Sequence, residues 1–113
     1  MSDNCIFCSV IKGEIPANKV YEDDAMIVIP DIHPIAELHY LVIPKDHYAT
    51  LAEMNAFSAG RLGIIFKKIP EIALKLGFGN GYRLVVNQGA DAGQSVMHLH
   101  IHLLGGQKMN FNV

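Results

Sequence analysis

Charge is scarce in this chain and is not concentrated anywhere. Of 113 residues, 18% are charged, with nine Lys and Arg against eleven Asp and Glu, for a net charge of −2. No cluster of basic residues supplies the electrostatic footprint of a general nucleic-acid binder. Long apolar runs are also missing. None approaches the roughly 18 residues that a membrane-crossing helix needs. The first residues, Met1-Ser2-Asp3-Asn4, form no basic n-region and precede no apolar h-region. A secretory signal is therefore not expected, and a cytoplasmic location is. Only two cysteines occur, Cys5 and Cys8, too close for a disulfide framework and expected to stay reduced in that compartment. No linker and no internal repeat divides the chain, so residues 1–113 are read as one domain.

What remains is a globular composition, half of it apolar. Residues 5–12 suit a short helix ended by Gly13. Val20-Tyr21 can open a strand, with Glu22-Asp23-Asp24 as a turn. Ala25 to Ile29 and His39 to Ile43 read as strands stopped by Pro30 and Pro44. Over residues 58–76, Leu62, Ile65, Phe66, Ile69, Ile72, Ala73 and Leu76 recur at helical spacing. Pro70 is expected to kink or divide that helix. Tyr82 to Asn87 and His98 to Leu104 complete the strands. The loop between them is too short for a helical crossover, which makes them antiparallel. The pattern is that of an α+β domain with the long helix on one face of the sheet.

Three of the six histidines fall within five residues. In His98-Leu99-His100-Ile101-His102-Leu103-Leu104 a strand would turn the imidazoles to one face and the apolar residues to the other. Such a face could be a solvated strand that happens to carry histidine. It could hold a metal through His-x-His, with a third ligand from elsewhere. It could also carry a nucleophile, because neutral imidazole is available near pH 7. The preceding Asn87-Gln88-Gly89-Ala90-Asp91-Ala92-Gly93-Gln94-Ser95 favours the third reading. It is rich in small residues and donors, which phosphoryl-type chemistry needs around non-bridging oxygens. Alone, that loop is an ordinary strand connection.

The triad matches the pattern His-φ-His-φ-His-φ-φ. With Gly93-Gln94-Ser95-Val96 before it and Gly105-Gly106 after it, the chain resembles the histidine-triad superfamily, in particular its Hint branch. Gly13-Glu14-Ile15-Pro16, Tyr21-Glu22-Asp23, Asp31-Ile32, Leu41-Val42-Ile43-Pro44-Lys45 and Gly81-Tyr82-Arg83-Leu84-Val85-Val86-Asn87 carry the resemblance along the chain. It implies a histidine-triad fold: a five-stranded antiparallel sheet, one long helix and a short N-terminal helix, with the sheet continued across a homodimer. It implies that His100 is the nucleophile of a nucleotidyl-histidine intermediate, helped by His102 and by Ser95 at the leaving group. It implies a purine nucleotide site made by Asp31 at the ribose, Ile32 at the base, and Asn87, Gly93, Gln94, Ser95, His100 and His102. It further implies a structural zinc on Cys5, Cys8, His47 and His98, with no cofactor needed for catalysis.

The expected activity is release of a nucleoside 5′-monophosphate, AMP or GMP, from phosphoramidates. The alternatives are dinucleoside polyphosphate hydrolysis, as in the Fhit branch, and a nucleotide-binding interaction protein with incidental hydrolysis. A metal-dependent hydrolase is a further contrast, which chelation would expose. Three positions depart from the Hint pattern: His33, where a small residue is usual; Leu38 before His39; and the tail Met109-Asn110-Phe111-Asn112-Val113, which lacks a Trp-Pro-Pro ending.

Overall fold

The computed structural model describes residues 4–110 and 112–113. Strands β1 (Tyr21–Glu22), β2 (Met26–Pro30), β3 (Leu38–Pro44), β4 (Tyr82–Val85) and β5 (Ile101–Gly105) form one sheet. Its order is β1-β2-β3-β5-β4, antiparallel throughout. Helix α1 spans Ile6–Ile11 and helix α2 spans Ala56–Lys75. The α+β class, the five strands and both helices agree with the sequence reading. Among the described residues, no helix is long and apolar enough to cross a membrane.

Helix α2 begins at a capping box. The Asn55 side chain accepts from the Ser58 N–H at 2.9 Å, while Ser58 Oγ accepts from the Asn55 N–H at 3.0 Å. Two end donors are satisfied reciprocally, so the helix starts at Ala56, two residues before the start expected at 58. Leu62, Ile65, Ile69, Ile72 and Ala73 are its buried face. The expected division at Pro70 does not occur, since α2 runs through it. Pro70 lies on the exposed side, where water can take the Phe66 carbonyl that lacks a partner. The end is a Schellman motif. Phe78 N–H bonds the Ala73 carbonyl at 2.9 Å and Gly77 N–H the Leu74 carbonyl at 3.3 Å. Gly77 supplies the positive φ of 99° that this exit needs.

The two faces of the sheet are covered unequally. Met26, Val28, Val42, Leu99, Ile101 and Leu103 pack against the buried stripe of α2. Ile27, Ile29, Leu41 and Ile43 pack against Phe7, Cys8 and Val10 of α1. Each such side chain contributes roughly 1.5–3 kcal/mol when fully buried. Helix α1 has only six residues, and His39, His100 and His102 lie on the face it shares.

The strand limits depart from the sequence reading where loops take over the hydrogen bonds. Glu22 belongs to β1. The turn after it is held by Asp23, whose carboxylate accepts from the N–H groups of Ala25 and Met26 at 2.7 and 3.0 Å. Strand β4 ends at Val85 rather than Asn87. Strand β5 starts at Ile101 rather than His98, because the Leu99 N–H bonds the Tyr48 carbonyl at 2.8 Å instead of a sheet neighbour. His98 and His100 therefore precede the strand, and only His102 lies within it. The Gly-Gly pair that follows has a steric cause. A Cβ on Gly105 would stand 2.7 Å from a Phe78 ring carbon, and one on Gly106 2.7 Å from Leu38 Cγ.

Candidate active site

Backbone groups fix the state of each ring. His100 Nδ1 lies 2.8 Å from the His98 carbonyl oxygen. A carbonyl only accepts, so Nδ1 carries a hydrogen, and in the neutral ring the lone pair is on Nε2. Phe7 meets this ring edge-on at 5.1 Å, and His102 lies 5.1 Å away, centroid to centroid.

The state of His102 is set through His39. His39 Nδ1 accepts the Ile35 N–H at 3.1 Å, which leaves the hydrogen on Nε2. His39 Nε2 is 2.9 Å from His102 Nδ1 and 3.3 Å from Asp31 Oδ2. With His39 donating, His102 Nδ1 is an acceptor and His102 Nε2 carries the second hydrogen. Burial holds the His39 pKa below the ordinary imidazole value, against the pull of Asp31. Burial does the same to His102, helped by His100 and His39 and opposed by Asp31. Both rings are neutral at pH 7. Asp31 is itself braced, with Oδ1 accepting the His33 N–H at 2.8 Å.

His39 was read from sequence only as the start of a strand. Its signal was there: a polar residue on the same strand face as Leu41 and Ile43, 5% exposed in the fold.

A cavity of about 420 Å³ joins these groups. Ile6, Phe7, Val10, Ile29 and Ile32 line its apolar part; Asp31, Asn87, Gly93, Ser95, His100 and His102 line the rest. Ile32 is 85% exposed, an apolar wall open to a ligand. Gln94 departs from its expected part as a side-chain donor. Its Nε2 donates to the carbonyls of Ala49 and Val96, at 2.6 and 3.2 Å, and its Oε1 accepts the Gly89 N–H at 2.9 Å. It braces the loop and does not line the cavity. The Gly93 N–H is likewise engaged, on the Ala90 carbonyl at 3.0 Å. Gly93 contributes its turn, with φ of 82°, rather than an amide for an anion.

The fourth group of residues lies behind His100. Cys5, Cys8, His47 and His98 bring one donor atom each within 4.8 Å of one another. Cys5 Sγ and Cys8 Sγ lie 3.4 and 3.6 Å from His98 Nδ1, and His47 Nδ1 is 3.2 Å from Cys8 Sγ and 3.1 Å from His98 Nδ1. Tetrahedral zinc with two sulfur and two nitrogen ligands sets such edges at about 3.3–3.8 Å. His98 Nε2 is 2.7 Å from the Pro44 carbonyl, so its Nδ1 lone pair points into the cluster. Burial pushes the Cys8 thiol up to about 11, with Cys5 adding to the rise. A dication would reverse that, since thiolate is the ligating form. Donor set and spacing fit zinc.

Three alternating histidines at the entry to an inner antiparallel strand, the middle ring lying between a metal-type cluster and a donor ring, define the histidine-triad class. Comparison with known proteins agrees. The HIT domain family model matches residues 12–109, and the chain belongs to that family. It is 47% identical over 103 residues to Protein HitA of Neisseria gonorrhoeae, covering 91% of this chain and 96% of that protein. The structure of a HIT family hydrolase from Clostridium thermocellum superposes with a TM-score of 0.92 at 46% identity, covering 100% of this chain and 99% of that one. A zinc-bound histidine triad family protein from Mycobacterium smegmatis superposes at 0.79 with 32% identity, covering 96% and 81%.

Proposed function

We propose that the protein is a nucleotide-binding hydrolase that releases a nucleoside 5′-monophosphate from phosphoramidates through a covalent intermediate on His100. One observation carries the reading: His100, whose Nδ1 is taken by the His98 carbonyl so that Nε2 is the nitrogen left for chemistry, lines a cavity that also holds His102, a hydroxyl and a carboxylate. Ile32, Phe7 and Val10 provide apolar surface for a purine. Asp31 can accept from ribose hydroxyls, and Asn87 with the His102 Nε2–H can donate to phosphoryl oxygens.

In the first step the His100 Nε2 lone pair forms the N–P bond as the substrate P–N bond breaks. The departing nitrogen takes a proton through Ser95. The ring becomes cationic, and its Nδ1–H bond to the His98 carbonyl strengthens as charge develops. In the second step water attacks phosphorus, the His100–P bond breaks, the pair returns to Nε2, and the water proton leaves to solvent through the Ser95 hydroxyl. Zinc, when bound, supplies a closed four-ligand crosslink with no open position for water. Cys5 and Cys8 then tie α1, and with it Phe7, to the sheet.

The cavity also bears on the Fhit-type alternative. Among the described residues lining it, none is Lys or Arg. A polyphosphate chain would enter with no counter-charge, whereas a phosphoramidate brings one negative charge to a ring that becomes positive. The test is intact-protein mass spectrometry after brief exposure to an adenosine phosphoramidate. The mass should rise by one nucleoside monophosphate and then return; a label in His100→Ala, or none in the wild type at measurable turnover, would overturn the covalent reading.

The site is also proposed to sit in a homodimer. Strand β4 is a sheet edge, and Tyr82, Phe57, Ile64 and Leu74 are exposed large hydrophobics. A two-fold partner continuing the sheet would remove that edge. Sedimentation at low micromolar concentration should give twice 12.4 kDa; an active monomer there would refute it.

A further inference from the structure

A second cavity, of about 490 Å³, adjoins the metal-type cluster. Cys5 and His47 line it; Cys8 and His98 do not. Cys5 is 8% exposed and Cys8 3%, so a small molecule in this space meets Cys5 before Cys8. The two cysteines are three residues apart. Cys5 caps α1, and its sulfur accepts the Cys8 N–H at 3.4 Å. Both sulfurs lie against one atom, His98 Nδ1, at 3.4 and 3.6 Å. Side chains three apart on a helical turn are near enough for a disulfide after a change of rotamer.

We propose that Cys5 and Cys8 are a modification site for small hydroperoxides, Cys5 reacting first and Cys8 resolving, and that the disulfide they form expels zinc and frees α1. The site rests on the fit to zinc and not on the reaction at His100. With zinc bound, both sulfurs are thiolates, the reactive form. The Cys5 thiolate attacks one peroxide oxygen; the O–O bond breaks, hydroxide leaves, and Cys5 becomes a sulfenic acid. The Cys8 thiolate attacks that sulfur; the S–S bond forms, the S–O bond breaks, and a second hydroxide leaves. Two electrons pass from the thiol pair to the peroxide, and solvent protons turn both hydroxides into water. His47 and His98 remain, two neutral imidazoles that are half the ligand set zinc takes. The exchange changes what α1 is tied to. His47 follows β3 and His98 precedes β5, so the metal-bound cluster links three segments of chain. The disulfide links α1 only to itself, across a loop too short to stabilise much. Helix α1, six residues long, is then held by packing alone. It carries Phe7, whose ring meets His98 and His100 at 5.9 and 5.1 Å.

The test titrates hydrogen peroxide into the zinc-loaded protein, with glutathione present at equal thiol concentration as an internal standard. A chromogenic chelator reads zinc against an untreated control, and mass spectrometry maps the peptide 1–12, which carries both cysteines. Zinc release should keep step with the loss of both protein thiols, and both should be complete no later than the oxidation of glutathione. The peptide should become two hydrogens lighter. Oxidised protein should melt where chelated, reduced protein melts, because the disulfide replaces no link to the sheet. Dithiothreitol with added zinc should restore the original Tm. Cys8→Ser, left without a resolving thiol, should stop at a Cys5 sulfenic acid that a cyclic dione traps. Cys5→Ser should leave Cys8 unreacted while glutathione is consumed. Glutathione consumed with zinc retained, zinc released with both thiols intact, or oxidised protein melting as the zinc-bound form does would each overturn the modification site while leaving the metal site in place. Failure of the reduced protein to take up zinc would overturn both.

Discussion

The two ends of the triad are built from the same side chain and do opposite things. His98 gives its Nε2–H to the Pro44 carbonyl and turns a lone pair toward two sulfurs. At the other end His39 takes the Ile35 N–H on Nδ1, so the ring facing His102 presents a hydrogen. Asp31, His39 and His102 also bring three potential ligand atoms within 4.8 Å. Distance alone would make both clusters metal sites. The backbone partner separates them: a carbonyl leaves a ring able to ligate, and an amide leaves a ring able to donate. Between them His100 takes the first arrangement, on the His98 carbonyl, and lines the cavity.

The comparison breaks most sharply at its centre. His100→Ala should abolish turnover by several powers of ten while nucleotide binding stays measurable, because Asp31 and Ile32 are untouched. Steady-state kinetics with a binding titration checks this; retention of more than about a hundredth of wild-type kcat would sink the nucleophile.

At the His98 end, metal removal should act on stability. With zinc a thousandfold above its Kd, the bound ion adds about 4 kcal/mol, on the order of 15 °C in Tm for a chain of this size. Chelation should lower Tm by that order and lower activity far less in protein that is still folded. Elemental analysis finding no metal in protein purified without chelators counts against the site. Immediate inactivation without loss of fold would instead mark a metallohydrolase.

At the His102 end, His39→Ala should cost on the order of a hundredfold in kcat, the low end of what loss of a donor to developing negative charge costs. His102 then loses the donor that fixes its tautomer. The change also admits water, so the His102 pKa should rise toward its ordinary value, which an NMR titration of the ring reads. An unchanged titration would reduce His39 to packing.

The smallest effect is on stability against pH. The folded His39 and His102 pKa values lie below the ordinary imidazole value near 6.5. Below that value the unfolded chain binds more protons than the native one. The contribution of the pair is therefore full above about pH 6.5 and is lost as pH falls through the folded values. Denaturant melts from pH 7.5 to 5 should show the decline, and His39→Ala should flatten it.

Periodicity made the elements readable, and motif made the triad readable. The helical stripe from Leu62 to Ala73 and the alternation of Leu99, Ile101 and Leu103 each have one geometric meaning. What sequence did not show depends on single hydrogen bonds between distant segments. Nothing in the motif says that Leu99 bonds Tyr48 and so takes His98 out of the strand. Gln94 looks like a ligand donor, because its use by Ala49, Val96 and Gly89 needs three pieces of chain in place. His39, 63 residues from its partner His102, is visible beforehand only as a break in an apolar strand face. Pro70 misled for the converse reason: the rule is local, and the cost is small where the orphaned carbonyl meets water.

Gly105 limits how this enzyme could be improved. Glycine-to-alanine changes are a standard route to stabilisation, and a glycine within a strand is an inviting target. Here the Phe78 ring occupies the space a methyl would need, and that ring is wedged against Tyr40 and Tyr82 at 5.8 and 6.3 Å. Tyr40 and Tyr82 belong to the strands flanking β5 and pair with Leu103 and Gly105. A methyl at position 105 would push on both neighbours at once, three residues from His102. The glycine works as a spacer of zero thickness, and engineered stability has to be sought at the far side of α2.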